Sequence, residues 1–163
     1  MSNQTVMIGN FRPKKYEANL VIDTAAYASG DVLSDFVAIP LAPVITGDPP
    51  IRGVVTQITL LDKDDEGGLL DLVFADAAVS LGTINDPPNI SDTNAQQIVG
   101  AVSVLSYVDF GGARVARPDF EPIEFEVSDG ILRVGAISRD TKTYTGASDL
   151  RVKLMIRLDN VNP

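Results

Sequence analysis

Apolar and polar positions along this chain repeat with period two rather than 3.6. The run Arg151-Val152-Lys153-Leu154-Met155-Ile156-Arg157-Leu158 has an apolar residue at every even position and Arg, Lys, Met and Arg at the odd ones. A strand sends those two sets to opposite faces, so one enters a core and the other meets water. Tyr16 to Asp23 carries Ala18, Leu20 and Ile22 on one face, and Ile123-Glu124-Phe125-Glu126-Val127 alternates cleanly. Further strands are expected at Val32–Ile39, Val54–Leu61, Leu69–Ala75, Val102–Asp109 and Ile131–Ile137.

Turn chemistry separates them: Ser29-Gly30-Asp31, Gly47-Asp48-Pro49-Pro50, Glu66-Gly67-Gly68, Gly111-Gly112, Ser128-Asp129-Gly130 and Thr145-Gly146. Ser128-Asp129-Gly130 reads as a tight hairpin, because Asp-Gly accepts the positive φ of primed turns. One helix of about two turns is expected from Thr93-Asn94-Ala95-Gln96, a capping box, with Asp92 near its start and Gly100 at its end. The expected fold is all-β: an antiparallel β-sandwich or jelly-roll-like domain over residues 16–163, with one short helix. Residues 1–15 read as an extended N-terminal arm, being polar with Pro13 and no sustained alternation.

The 163-residue length suits one domain, and 45% hydrophobic with 21% charged residues is ordinary for a globular protein. No apolar run is long enough for a membrane helix. Met1 to Asn10 lack the charged and greasy regions of a secretory signal, so a protein used without export is expected.

Cys and His are absent. That excludes disulfides, thiolate metal sites and nucleophilic triads built on imidazole. It also removes the commonest general acid–base group, so an enzyme is not expected.

The net charge of −9 is unevenly placed. Residues 1–16 carry Arg12, Lys14 and Lys15 with no acid, residues 17–109 carry a net −12, and the remainder is neutral. An acidic body repels phosphate, so nucleic acid is not the expected partner. The basic cluster beside Phe11 fits docking on an acidic protein surface, which makes Phe11, Arg12, Lys14 and Lys15 the candidate partner-binding residues.

Two acidic groups invite chemical readings. Asp62-Lys63-Asp64-Asp65-Glu66-Gly67 matches the start of a calcium loop, but the twelfth position is Val73 and the flanks read as strands. A charged hairpin tip joining Val54–Leu61 to Leu69–Ala75 is the simpler expectation. Asp119, Glu121, Glu124 and Glu126 include two carboxylates on one strand face, which a glycosidase would need inside a cleft. A solvated face paired across strands with Arg151, Lys153 and Arg157 is simpler. No metal or cofactor is expected.

Three segments carry a resemblance. They are Leu20-Val21-Ile22-Asp23-Thr24-Ala25-Ala26-Tyr27-Ala28-Ser29-Gly30-Asp31-Val32-Leu33, Val55-Thr56-Gln57-Ile58-Thr59-Leu60-Leu61-Asp62-Lys63-Asp64-Asp65 with Leu70-Asp71-Leu72-Val73-Phe74, and Ser91-Asp92-Thr93-Asn94-Ala95-Gln96-Gln97-Ile98-Val99-Gly100-Ala101-Val102. Together, over roughly residues 16–158, the chain resembles the capsid decoration (cement) proteins of tailed bacteriophages. That resemblance implies a β-rich homotrimer bound to the major capsid protein on the outside of the virion, present in the host cytoplasm during assembly. It brings no catalytic residues. Another virion part, such as a tail, connector or spike protein, is one alternative expectation. A carbohydrate-binding module using Tyr27, Tyr107, Tyr144 and Phe120 is another.

Overall fold

The computed structural model describes residues 12–42 and 48–159. The described residues are nearly all β, with 47% of them in strands and 3% in helix, arranged as two antiparallel sheets and one short helix, an all-β sandwich. In chain order the elements are β1 (Lys14–Asn19), β2 (Val32–Pro40), β3 (Ile51–Asp62), β4 (Leu70–Ala75), α1 (Asp92–Ala95), β5 (Ile98–Val104), β6 (Val108–Asp109), β7 (Arg114–Ala116), β8 (Ile123–Val127), β9 (Ile131–Ser138) and β10 (Leu150–Leu158).

One sheet runs β1-β10-β3-β7-β6, with β8 also on β3; the other runs β2-β9-β4-β5. Strand β3 pairs with β10 along one side and, on the other, with β7 at Leu60–Asp62 and β8 at Ile51–Val55. Between β7 and β8 the segment 117–122 leaves the ladder. Pro118 and Pro122 lie within it, and a proline has no amide to give a ladder.

Alternation puts the core between the sheets. Leu150, Val152, Leu154 and Ile156 are buried from β10, Ile123, Phe125 and Val127 from β8, and Leu70, Leu72 and Phe74 from β4. Strand β3 obeys the rule in two halves. Ile51 and Val55 point inward, then Ile58 and Leu60 do. The phase changes because Thr56 is an extra residue opposite the Met155/Ile156 step, a β-bulge, and its hydroxyl donates to the Met155 carbonyl at 3.1 Å. The outer face of the second sheet is covered too: Val32, Val73 and Leu81 form a smaller buried cluster with Phe36, Ile98 and Ile137 against it.

Several sequence expectations change. Glu66-Gly67-Gly68 is not a hairpin tip: β3 and β4 belong to different sheets, so residues 63–69 arch from one layer to the other. Ser128-Asp129-Gly130 likewise crosses between sheets, from β8 to β9, although Gly130 has the expected positive φ of 74°. The helix is a single turn capped by Ser91, not Thr93; the Ser91 hydroxyl accepts the Asn94 amide at 3.2 Å. Ile98, Val99 and Gly100 open β5 instead of closing the helix, because β4 pairs with Ile98 and Gly100, with Val99 bulged between them. A side chain at Gly100 would press on Ile123, with a Cβ only 3.1 Å from three of its atoms. Strand β1 starts at Lys14, inside the stretch read as an arm, and β5 and β6 divide the interval expected to be one strand at Val102–Asp109.

Candidate functional site

Four surface regions bear on function. The first is the basic edge. Phe11 lies outside the described residues. Arg12 is exposed just before β1, and Lys14 and Lys15 are exposed on β1, opposite Ile156 and Met155. Lys15 pairs with Glu17 at 2.9 Å, and Arg151 approaches the same carboxylate at 3.6 Å. The bond from Lys15, aided by the charges of Lys153 and Arg151, holds the Glu17 carboxyl below the usual range. Arg12 and Lys14 make no ion pair among the described residues. Among the described residues β1 has β10 on one side and no strand on the other, so this basic strand is a sheet edge there.

The second region is the acidic arch between β3 and β4. Here carboxylates serve the backbone. Fully buried Asp62 accepts the amides of Asp64 at 3.0 Å and Gly67 at 2.6 Å. Asp64 reaches the β9–β10 loop, accepting the Thr145 amide at 2.8 Å and its hydroxyl at 2.7 Å. Asp65 pairs with Arg114 of β7 at 2.9 Å, and Asp140 accepts the Leu69 amide at 2.9 Å. The Tyr107 hydroxyl donates to the Gly68 carbonyl at 2.6 Å. Burial first, then the neighbouring Asp62 and Asp140 carboxylates, push the Tyr107 phenol well above its ordinary pKa. Burial also pushes up Tyr144, with Tyr107 and the same acids adding to it. The arch therefore staples three loops together. Among the described residues no three acidic side chains are grouped as a metal would need.

The third region is acidic in a different manner. Asp119, Glu121 and Glu124 line an open groove of about 690 Å³ between β5 and the approach to β8, with Val99, Leu105 and Phe120. None of the three carboxylates has a hydrogen bond or ion pair among the described residues. The expected pairing with Arg151, Lys153 and Arg157 does not occur, since β3 stands between β8 and β10. Glu126 instead meets Arg52 of β3 at 2.6 Å, and Arg157 meets Asp159 at 3.3 Å.

The fourth region is apolar. Leu105, Val108 and Phe110 are 68%, 61% and 70% exposed, around the β6–β7 hairpin. Its turn is closed by the Phe110 amide on the Ala113 carbonyl at 2.9 Å, with Gly111 at φ 84°. The sequence reading expects one strand over Val102–Asp109, which holds Leu105 and Val108, and Phe110 follows it directly. Gly111-Gly112 was the available sign of a protruding turn. Conversely, the aromatic residues considered for sugar stacking face inward. Tyr27 and Tyr144 are buried edge to face with centroids 6.5 Å apart, and Tyr107 and Phe120 are partly buried against the core.

No protein-family model matches the chain, and no curated protein matches it either.

Proposed function

We propose that this protein is a structural component of a tailed-phage virion that binds the major capsid protein on the outer surface of the head and reinforces the shell. The observation that carries this reading is the apolar tip. Phe110 stands in water at the turn of the β6–β7 hairpin and Val108 in its first strand, with exposed Leu105 just before it, and the hairpin is fixed to the sandwich by the Tyr107–Gly68 and Arg114–Asp65 contacts. Large exposed apolar groups on a rigid support favour protein contact, since desolvating them is favourable and little ordering entropy is lost. The resemblance of residues 16–158 to decoration proteins supports the same reading. Reinforcement needs area and repeated contact rather than a reaction. A standard interface buries roughly 1,200–2,000 Å², and an oligomer touching several capsomers gains further through effective concentration.

The test is co-sedimentation with heads assembled without the protein from the same phage's major capsid protein. Saturable binding at a fixed copy number per head is expected, together with a higher temperature of DNA release. Phe110→Ser should weaken binding about tenfold or more, as loss of a central aromatic anchor does. Protein that stays in the supernatant, or that pellets with tails alone, overturns the reading.

A further inference from the structure

The groove between β5 and the approach to β8 runs along a strand edge. Val99, Gly100, Ala101, Val102 and Ser103, consecutive residues of β5, all line it. Successive side chains of a strand point to opposite faces, so a lining that takes in both sets follows the backbone edge and not a face. β5 pairs with β4 on one side and, among the described residues, with no strand on the other. Along that free side its amides and carbonyls make no further backbone bond among the described residues. The opposite wall is residues 119–124, which lead into β8 of the other sheet, and β8 pairs with β3 alone. Two strand edges from opposite sheets therefore border one open corner of the sandwich. Gly100 and Ile123 meet between them, where a Cβ on Gly100 would lie 3.1 Å from the Ile123 side chain. At about 3.3 Å per residue, the β5 edge along the groove is about 13 Å long.

We infer that the groove takes an extended, basic segment of a partner protein, which adds to β5 as a further strand. In strand addition the backbone bonds supply affinity, and alternate side chains supply selectivity. No Lys or Arg of the described residues lines the groove, whereas Asp119, Glu121 and Glu124 are exposed along one wall. That wall favours Lys or Arg on the side of the segment that faces it. The residues between those cations meet Val99, Leu105 and Phe120, so they are small or apolar. The same acids work against edge-to-edge pairing of two copies through β5, because it would gather three carboxylates from each copy in one corner. Leu105 lines the groove and is also part of the exposed apolar patch with Val108 and Phe110, so the groove continues the surface proposed for capsid contact. The inference rests on that reading for the source of the segment, the major capsid protein, and not for the chemistry of the groove.

The probe is a short synthetic peptide alternating Lys with Val and capped at both ends. It is titrated into the isotope-labelled full-length chain and followed by NMR at about 50 mM salt. Saturable shifts of the β5 amides are expected, with slowed hydrogen exchange at alternate residues of β5, since only alternate residues face a new neighbour. Two N-methylated forms of the peptide, one at every Lys amide and one at every Val amide, test the mode. One set of amides faces β5 and the other faces away, so one form should lose binding and the other keep it. E121K with E124K should weaken binding about tenfold or more. These side chains are exposed, so the melting temperature should match the wild type. If it does not, E121Q with E124Q takes their place and should weaken binding as well. A peptide that does not bind overturns the inference, as do shifts centred on another strand, or two methylated forms that both bind like the parent. So do alternate β5 amides already protected in the free chain, whether by another copy or by another part of it. Failure of the peptide beside saturable binding to heads overturns the inference and leaves the capsid reading standing. Peptide binding beside heads that stay bare supports the inference and moves the source of the segment to another protein.

Discussion

The acidic arch at residues 62–67 and the acidic stretch at 119–124 have similar composition and opposite uses. In the arch, carboxylates are used by the fold, each meeting a backbone amide or a cation: Asp62 holds Gly67, Asp64 holds Thr145, and Asp65 holds Arg114. In the stretch beside β8, Asp119, Glu121 and Glu124 face an open groove and bond to nothing among the described residues. The arch has lone pairs aimed at amides of its own loops, the two held by buried Asp62 being part-buried themselves. The groove has charge in water, where it can act only on something that arrives. Acidity alone therefore does not mark a site; what matters is whether the fold has already used the charge.

Mutations sharpen that contrast. The largest effect is expected at Asp62→Ala, which strips two part-buried amides of a buried charged acceptor and should lower unfolding free energy by about 2 kcal/mol. Chemical denaturation would measure it, and a loss under 1 kcal/mol would mean that the arch does not depend on this carboxylate. Asp64→Ala removes two more exposed bonds to Thr145 and should cost about 1 kcal/mol. Glu121→Lys should change stability by less than about 0.5 kcal/mol, as for other surface substitutions. A larger loss would show that the groove acids are structural after all.

The smallest effect concerns a third kind of acid. Asp76 has one carboxylate oxygen buried without a partner. Burial raises its pKa, and nearby Glu126 adds to the rise. For an acid whose folded pKa is raised, the ionised form disfavours the folded state at neutral pH. That penalty fades as pH falls through the folded value and is gone below the unfolded one. Asp76→Asn should therefore raise the melting temperature slightly at pH 7, with the gain closing as pH drops below about 4. A gain that persists at pH 3 would assign the effect to packing rather than charge.

Much of the fold can be read from residues. The alternation of β8 and β10 and the spacing of turn residues locate strands well, since a strand buried on one face must alternate. Which sheet a strand joins is not written locally. Glu66-Gly67-Gly68 and Ser128-Asp129-Gly130 look like hairpin turns, yet both cross between layers, because turn residues specify a change of direction and not a partner. The Thr56 bulge hides β3's alternation for the same reason: its origin is the register with β10, far along the chain. Capping is equally local, and Ser91 outcompetes Thr93 once Ile98 is drawn into the ladder with β4. Of the candidate contact residues, Arg12, Lys14 and Lys15 are visible as a basic cluster. Their place on a sheet edge, and the protrusion of Leu105, Val108 and Phe110, depend on tertiary pairing.

The most direct measurement is a reconstruction of purified virions at a detail sufficient to place the sandwich. The account predicts one sandwich per repeated position on the outside of the head, with the β6–β7 hairpin turned toward the capsid protein. Heads whose outer surface bears no such density, or density found only in the tail, would contradict it.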